Sequence, residues 1–238
     1  MFVADYHLPN PTLTTVDDLE NKYIIAYEWL AGFELNVVNT RFHEYKNNIF
    51  EIAFKIRKNE EFTIGHDKIF NTWKEISELI HIHEGFNGKD VSGLGFRIKK
   101  FLKGHALIVK EKWKNSARQT GYELILASSL AKKGIAVDLS TKADIRFEAE
   151  GEMCFVECKY LLSKNKIKNN FKGALQQLTE NYEKLSQGRP CHGVVALCID
   201  FLYNQQFGVL GGDSQELRFK ELLKGGDFFF SENKKNNW

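Results

Sequence analysis

Residues 143–160, ADIRFEAEGEMCFVECKY, decide the fold. Both halves are rich in β-branched, aromatic and cysteine side chains, and Glu150-Gly151 stands between them, where a two-residue hairpin turn needs positive φ. With the turn there, Ile145 pairs with Val156 and Asp144 falls opposite Glu157. Period-two alternation then puts Asp144, Glu157 and Lys159 on one face, and Ile145, Phe147, Cys154, Val156 and Cys158 on the other. A charged face is ordinarily the solvated one. Met153 and Phe155 share this one, however, which predicts that it is partly covered. Two opposed carboxylates repel each other unless a cation lies between them, and a divalent metal ion would supply one.

The segments around the hairpin predict an α/β core. IAVDLS, residues 135–140, reads as a strand before it. After it, Phe171, Ala174, Leu178, Tyr182 and Leu185 mark the buried stripe of a helix over about 166–186. CHGVVALCIDF, residues 191–201, is nearly continuous in apolar side chains, as expected of a strand buried on both faces. Strands, helix and strand in that order predict a mixed sheet whose last strand is reached through a crossover helix. The N-terminal half reads as helical. Thr15-Val-Asp-Asp18 resembles a capping box before a helix to about Leu30, Phe42, Tyr45, Ile49, Ala53 and Ile56 define a second over 40–58, and a third runs over 67–81. The segment EGFNGKDVSGLG, residues 84–95, holds four glycines and predicts a loop that divides a helical region, 1–95, from a second domain, 96–238. Helix resumes over 96–133 with a break near Gly104 or Asn115, and SQELRFKELL, residues 214–223, reads as a short closing helix.

With 238 residues, 43% of them hydrophobic, the chain can build a sizeable packed core. No run of about 18 apolar residues predicts a membrane span, and the opening MFVADYHLPNPT lacks the basic start and apolar stretch of a secretory leader, so a cytoplasmic protein is expected. Cys154, Cys158, Cys191 and Cys198 lie in strand-like runs without zinc-ligand spacing and are expected to be buried thiols. The net charge of +2 hides two basic segments. Arg97, Lys99, Lys100, Lys103, Lys110, Lys112, Lys114 and Arg118 face one acid, Glu111, and Lys159, Lys164, Lys166, Lys168 and Lys172 face none. Each could be the wet face of a helix; two such blocks around one acidic cluster point instead to phosphate contacts.

Upstream, YELILASSLA, residues 122–131, is apolar or small all round except for Glu123. A buried lone carboxylate must be paired or coordinating, although Glu123 could also be an exposed helix-start acid or pair with Arg118. Other candidates are weaker. His81 and His83 fall at the end of a predicted helix, where a surface or capping role is the simpler one. GFNGKD, residues 85–90, lacks the spacing and preceding strand of a phosphate loop. Tyr23, Tyr27, Trp29, Phe33, Phe42 and Tyr45 are expected to fill a helical core rather than stack on bases.

A helix with Glu123, a strand, a hairpin bearing Asp144 and then Glu157-Cys158-Lys159, a helix with glutamine, and a further strand together resemble the core of the PD-(D/E)XK nuclease superfamily. The likeness covers about residues 121–201, with Ala143 standing where the family name has proline. It implies a restriction-endonuclease-like core, a central mixed sheet flanked by helices and preceded by the helical region. It implies a metal-dependent nuclease in which Asp144 and Glu157 bind Mg²⁺ or Mn²⁺, with the backbone carbonyl of Cys158 as a further ligand and Glu123 completing the site directly or through water. Hard oxygen donors suit those ions. Lys159 would orient or deprotonate the attacking water. The family's helical glutamine has two candidates; Gln177 flanks the buried stripe, whereas Gln176 points nearer to solvent. Lys164, Lys166, Lys168, Lys172, Lys112, Lys114 and Arg118 would contact nucleic acid, DNA more than RNA. A homodimer or partner protein through the helical region, and a restriction, defence or DNA-processing role, complete the expectation. The alternative is an inactive nuclease-fold module that binds nucleic acid or assembles a larger complex.

Overall fold

A computed structural model describes residues 15–61, 64–106, 116–185 and 188–198. Lys112, Lys114 and the closing helix expected at 214–223 lie outside them. The elements are α1 (Val16–Ala31), α2 (Arg41–Lys58), α3 (His66–Phe86), α4 (Leu94–Phe101), α5 (Ser116–Lys132), β1 (Val137–Asp138), β2 (Ile145–Ala149), β3 (Glu152–Tyr160), α6 (Ile167–Leu185) and β4 (Cys191–Cys198), with a short 3₁₀ turn at Lys164–Lys166.

Local chemistry sets the helix starts and faces. Thr15 caps α1, its hydroxyl accepting a hydrogen bond from the Asp18 amide at 3.1 Å, and Leu19, Tyr23, Ala26 and Leu30 form the buried stripe. In α2 the stripe is Phe42, Tyr45, Ile49, Ile52 and Ala53, and Asn59 ends the helix in the left-handed conformation. The third helix runs to Phe86, five residues past the expected end at His81, because Ile82 and Phe86 continue its buried stripe. The loop that follows is therefore short. Gly93, with φ of 81°, ends it where a Cβ would stand 2.5 Å from the Leu139 carbonyl carbon, so α4 begins hard against the connection between β1 and β2.

The hairpin forms in the register expected. Glu150 and Gly151 both have positive φ, and Ile145 pairs with Val156, Phe147 with Cys154 and Ala149 with Glu152. Among the described residues the sheet has the order β1-β2-β3-β4, antiparallel except for the parallel pair of β3 and β4, which α6 joins as the crossover. The fold is thus mixed α and β.

One face of the sheet carries Ile145, Val156 and Cys158 into a core shared with α1 to α5, from Leu19 and Tyr23 to Leu124 and Ala127. This core is continuous across residue 95, where the boundary between two domains was expected. On the other face Phe155 and Ala143 pack against Leu178, with Met153 and Tyr182 beside them, so the charged face of the hairpin is covered by α6 as expected. The expectation for β4 is corrected. It ends the sheet among the described residues, and His192, Gly193 and Val194 are exposed, so its apolar run is half covered rather than buried on both faces. Of the thiols, Cys154, Cys158 and Cys198 are buried and Cys191 partly so, all unbridged. No described helix is long and apolar enough to cross a membrane.

Candidate functional site

Before the start of β2, two side chains continue the hydrogen-bond ladder of β3. The Cys158 amide donates to Asp144 Oδ2 at 2.8 Å. One residue further, Gln119 of α5 donates from Nε2 to the Cys158 carbonyl at 2.6 Å and accepts at Oε1 from the Tyr160 amide at 2.8 Å. Asp144 and Gln119 stand where a longer β2 would have supplied backbone partners, and this clamps the ends of α5, β2 and β3 together.

Glu157 lies at the centre, 1% exposed, with Oε1 accepting from Asn181 Nδ2 at 3.0 Å and Oε2 lying 3.4 Å from Lys159 Nζ. Lys159 also donates to Gln177 Oε1 at 2.6 Å. Gln176 instead bonds to Glu180 on the outer face of α6. Asn181, one turn beyond Gln177, is a contact the sequence analysis did not single out; its burial follows from sharing the stripe side of α6 with Ala174 and Leu178.

Glu123 is buried, so the exposed helix-start alternative falls, and its cation is not Arg118. Arg118 is buried too, paired with Glu75 and donating to the His105 carbonyl at 3.1 Å, which corrects its expected place on a phosphate-facing surface. The cation beside Glu123 is Arg97. Its Nη1 lies 2.6 Å from Glu123 Oε2 and 3.7 Å from Asp144 Oδ1, its Nη2 donates to the carbonyls of Ala143 and Asp144 at 3.3 and 3.4 Å, and its Nε donates to Leu139 at 3.3 Å. The sequence reading counted Arg97 among exposed basic residues. The missed signal is its spacing: Leu94, Arg97, Ile98 and Phe101 form the buried stripe of α4.

Electrostatics mark the carboxylates as a group. Burial first, then the charge of Asp144, raises Glu157 to about 7, helped by a hydrogen bond to Asp144 that the protonated acid makes. Lys159 pulls the other way. Burial and Asp144 also raise Glu123 to about 7, against the attraction of Arg97, the Gln119 hydrogen bond and Lys100. The Cys158 thiol, buried beside all three acids, is pushed far up and is inert as a nucleophile.

Asp144 and Glu157 fit a hard divalent cation. Burial and the charge of Asp144 disfavour the ionised Glu157, and a metal ion would offset that repulsion. The other two expected donors are engaged as well, Glu123 with Arg97 and the Cys158 carbonyl with Gln119. Among the described residues no three His, Cys, Asp or Glu side chains gather as ready metal ligands. His81 and His83 turn apart within α3, His81 Nε2 lying 2.8 Å from Ser129 Oγ and His83 meeting Trp29 edge-on. Lys164, Lys166, Lys168 and Lys172 are exposed around the start of α6. No family model, characterised protein or solved structure matches the chain.

Proposed function

We propose that the chain is a metal-dependent nuclease of the PD-(D/E)XK type that hydrolyses phosphodiester bonds in nucleic acid, DNA in preference to RNA. The observation that carries the reading is the placement of a buried carboxylate, Glu157, opposite the half-buried Asp144 across the hairpin, with Lys159 held against Glu157 and Gln177. Asp144 and Glu157 hold Mg²⁺ or Mn²⁺. The ion, when bound, lowers the pKa of a water molecule and neutralises charge on the scissile phosphate. Lys159, whose ammonium Gln177 fixes at 2.6 Å, orients that water. Glu123 stands behind Asp144 and tunes it through Arg97. The exposed lysines from Lys164 to Lys172 meet the phosphate backbone, which makes binding salt-dependent. A cytoplasmic role in restriction, defence or DNA processing belongs to the same reading.

Purified chain with Mg²⁺ or Mn²⁺ is expected to cut at least one of single- and double-stranded DNA and RNA. Asp144→Ala and Lys159→Ala should abolish cutting while the circular dichroism spectrum is retained. A second reading, an inactive module of the same shape, is favoured by the engagement of Glu123 with Arg97 and of the Cys158 carbonyl with Gln119. It predicts salt-dependent nucleic-acid binding, no cutting of any substrate, and no divalent-ion binding that depends on Glu157. That outcome would refute the enzyme for those substrates.

A further inference from the structure

The acidic cluster already contains a fixed cation of its own. Arg97 reaches Glu123 and Asp144 from α4, and three backbone carbonyls, of Leu139, Ala143 and Asp144, hold the guanidinium in place. Its side chain is 10% exposed, against 17% for that of Lys159. A guanidinium stays charged at every accessible pH, and one gripped on all edges cannot swing aside as an ammonium on a flexible stem can. α4 itself is pressed against the connection that carries Asp144, through the glycine contact at Gly93 and the Leu139 amide, which donates to the Ser92 carbonyl at 2.9 Å.

We propose that Arg97 is the resident cation of the Glu123–Asp144 half of the site, so that the site takes one divalent ion, held by Asp144 and Glu157, and not two. The inference rests on the nuclease reading above and concerns how many ions that site admits. The charges support it. Three carboxylates, Glu123, Asp144 and Glu157, face two cations, Arg97 and Lys159, within the distances given. One divalent ion turns a deficit of one positive charge into an excess of one. A second ion would raise the excess to three and would have to displace Arg97 from Glu123, breaking a buried ion pair and leaving the guanidinium beside a dication. Glu123 therefore acts through Arg97 on Asp144 and is a positioning residue rather than a ligand.

The test is Mn²⁺ binding to the full chain, counted by electron paramagnetic resonance and calorimetry without nucleic acid. One ion per chain is expected in the wild type. Asp144→Asn and Glu157→Gln should weaken it by about a hundredfold or more, whereas Glu123→Gln, which keeps an acceptor for Arg97, should still bind one ion within about tenfold of wild-type affinity. Arg97→Met, where circular dichroism shows it folded, should bind two, since Glu123 is released to join Asp144 as a ligand pair. Two ions in the wild type, loss of the ion in Glu123→Gln, or a single ion in folded Arg97→Met overturns the inference while leaving the nuclease reading intact. No ion at all in the wild type overturns both. If Arg97→Met does not fold, the wild-type count and Glu123→Gln decide.

Discussion

Without divalent ions Glu157 should make the protein less stable as pH rises, a contribution that a single substitution removes. Glu157 is raised to about 7 in the folded chain, by burial and by Asp144, against an ordinary carboxylate value near 4.5 in the unfolded one. Between those values the folded chain holds a proton the unfolded chain has released. The stabilisation is complete below about 4.5 and is lost as pH climbs through about 7. From pH 5 to pH 8 the loss from this one group is about 2 to 3 kcal/mol. For a chain of this size that is roughly 5 to 10 °C in melting temperature. Two histidines run the other way: burial lowers His81 and His83, so they add stability as pH rises toward their unfolded value. Glu123, also raised to about 7, runs the same way as Glu157, and the comparison with Glu157→Gln cancels it and the histidines alike. Melting both proteins in EDTA at half-unit steps from pH 5 to 8, the wild type should lose about 2 to 3 kcal/mol relative to the variant, and Mn²⁺ should restore it at pH 8 far more than at pH 5. A constant difference across the range, or one that favours the wild type as pH rises, would refute the reasoning.

The clamp on β3 and the seat of α4 give two further expectations. Gln119→Leu orphans the Cys158 carbonyl and the Tyr160 amide, and should lower stability by about 2 to 4 kcal/mol in urea denaturation, an amount an exposed glutamine would not show. Gly93→Ala places a methyl against the Leu139–Ser140 backbone at a positive φ; it should lower stability by about 2 kcal/mol or more and weaken Mn²⁺ binding, because the displaced connection carries Asp144. Unchanged melting in either variant would show that the close contact does not exist in solution.

How much of this was legible depended on whether the determinants were local. The hairpin register was, because a two-residue turn at Glu150-Gly151 leaves only one pairing and so only one partner for Asp144. The cover over the charged face was readable from Met153 and Phe155, and Gln177 from the stripe of α6. Arg97 and Gln119 were not, for different reasons. Arg97 sits in a stretch dense with lysine, where charge masked its helical position, and its partners lie 26 to 47 residues downstream. Gln119 owes its role to the late start of β2, which leaves two backbone groups of β3 for a side chain to satisfy. The apolar run of β4 misled because composition reports what a strand can bury, and the number of neighbours in the sheet decides what it does bury.

The most direct test of the site is a crystal structure with Mn²⁺, using anomalous scattering to locate the ion. The account predicts one peak, bonded to carboxylate oxygens of Asp144 and Glu157, with Arg97 still on Glu123 and Lys159 within reach of a bound water. An absence of density between those two carboxylates at saturating Mn²⁺, with both side chains ordered, would contradict it.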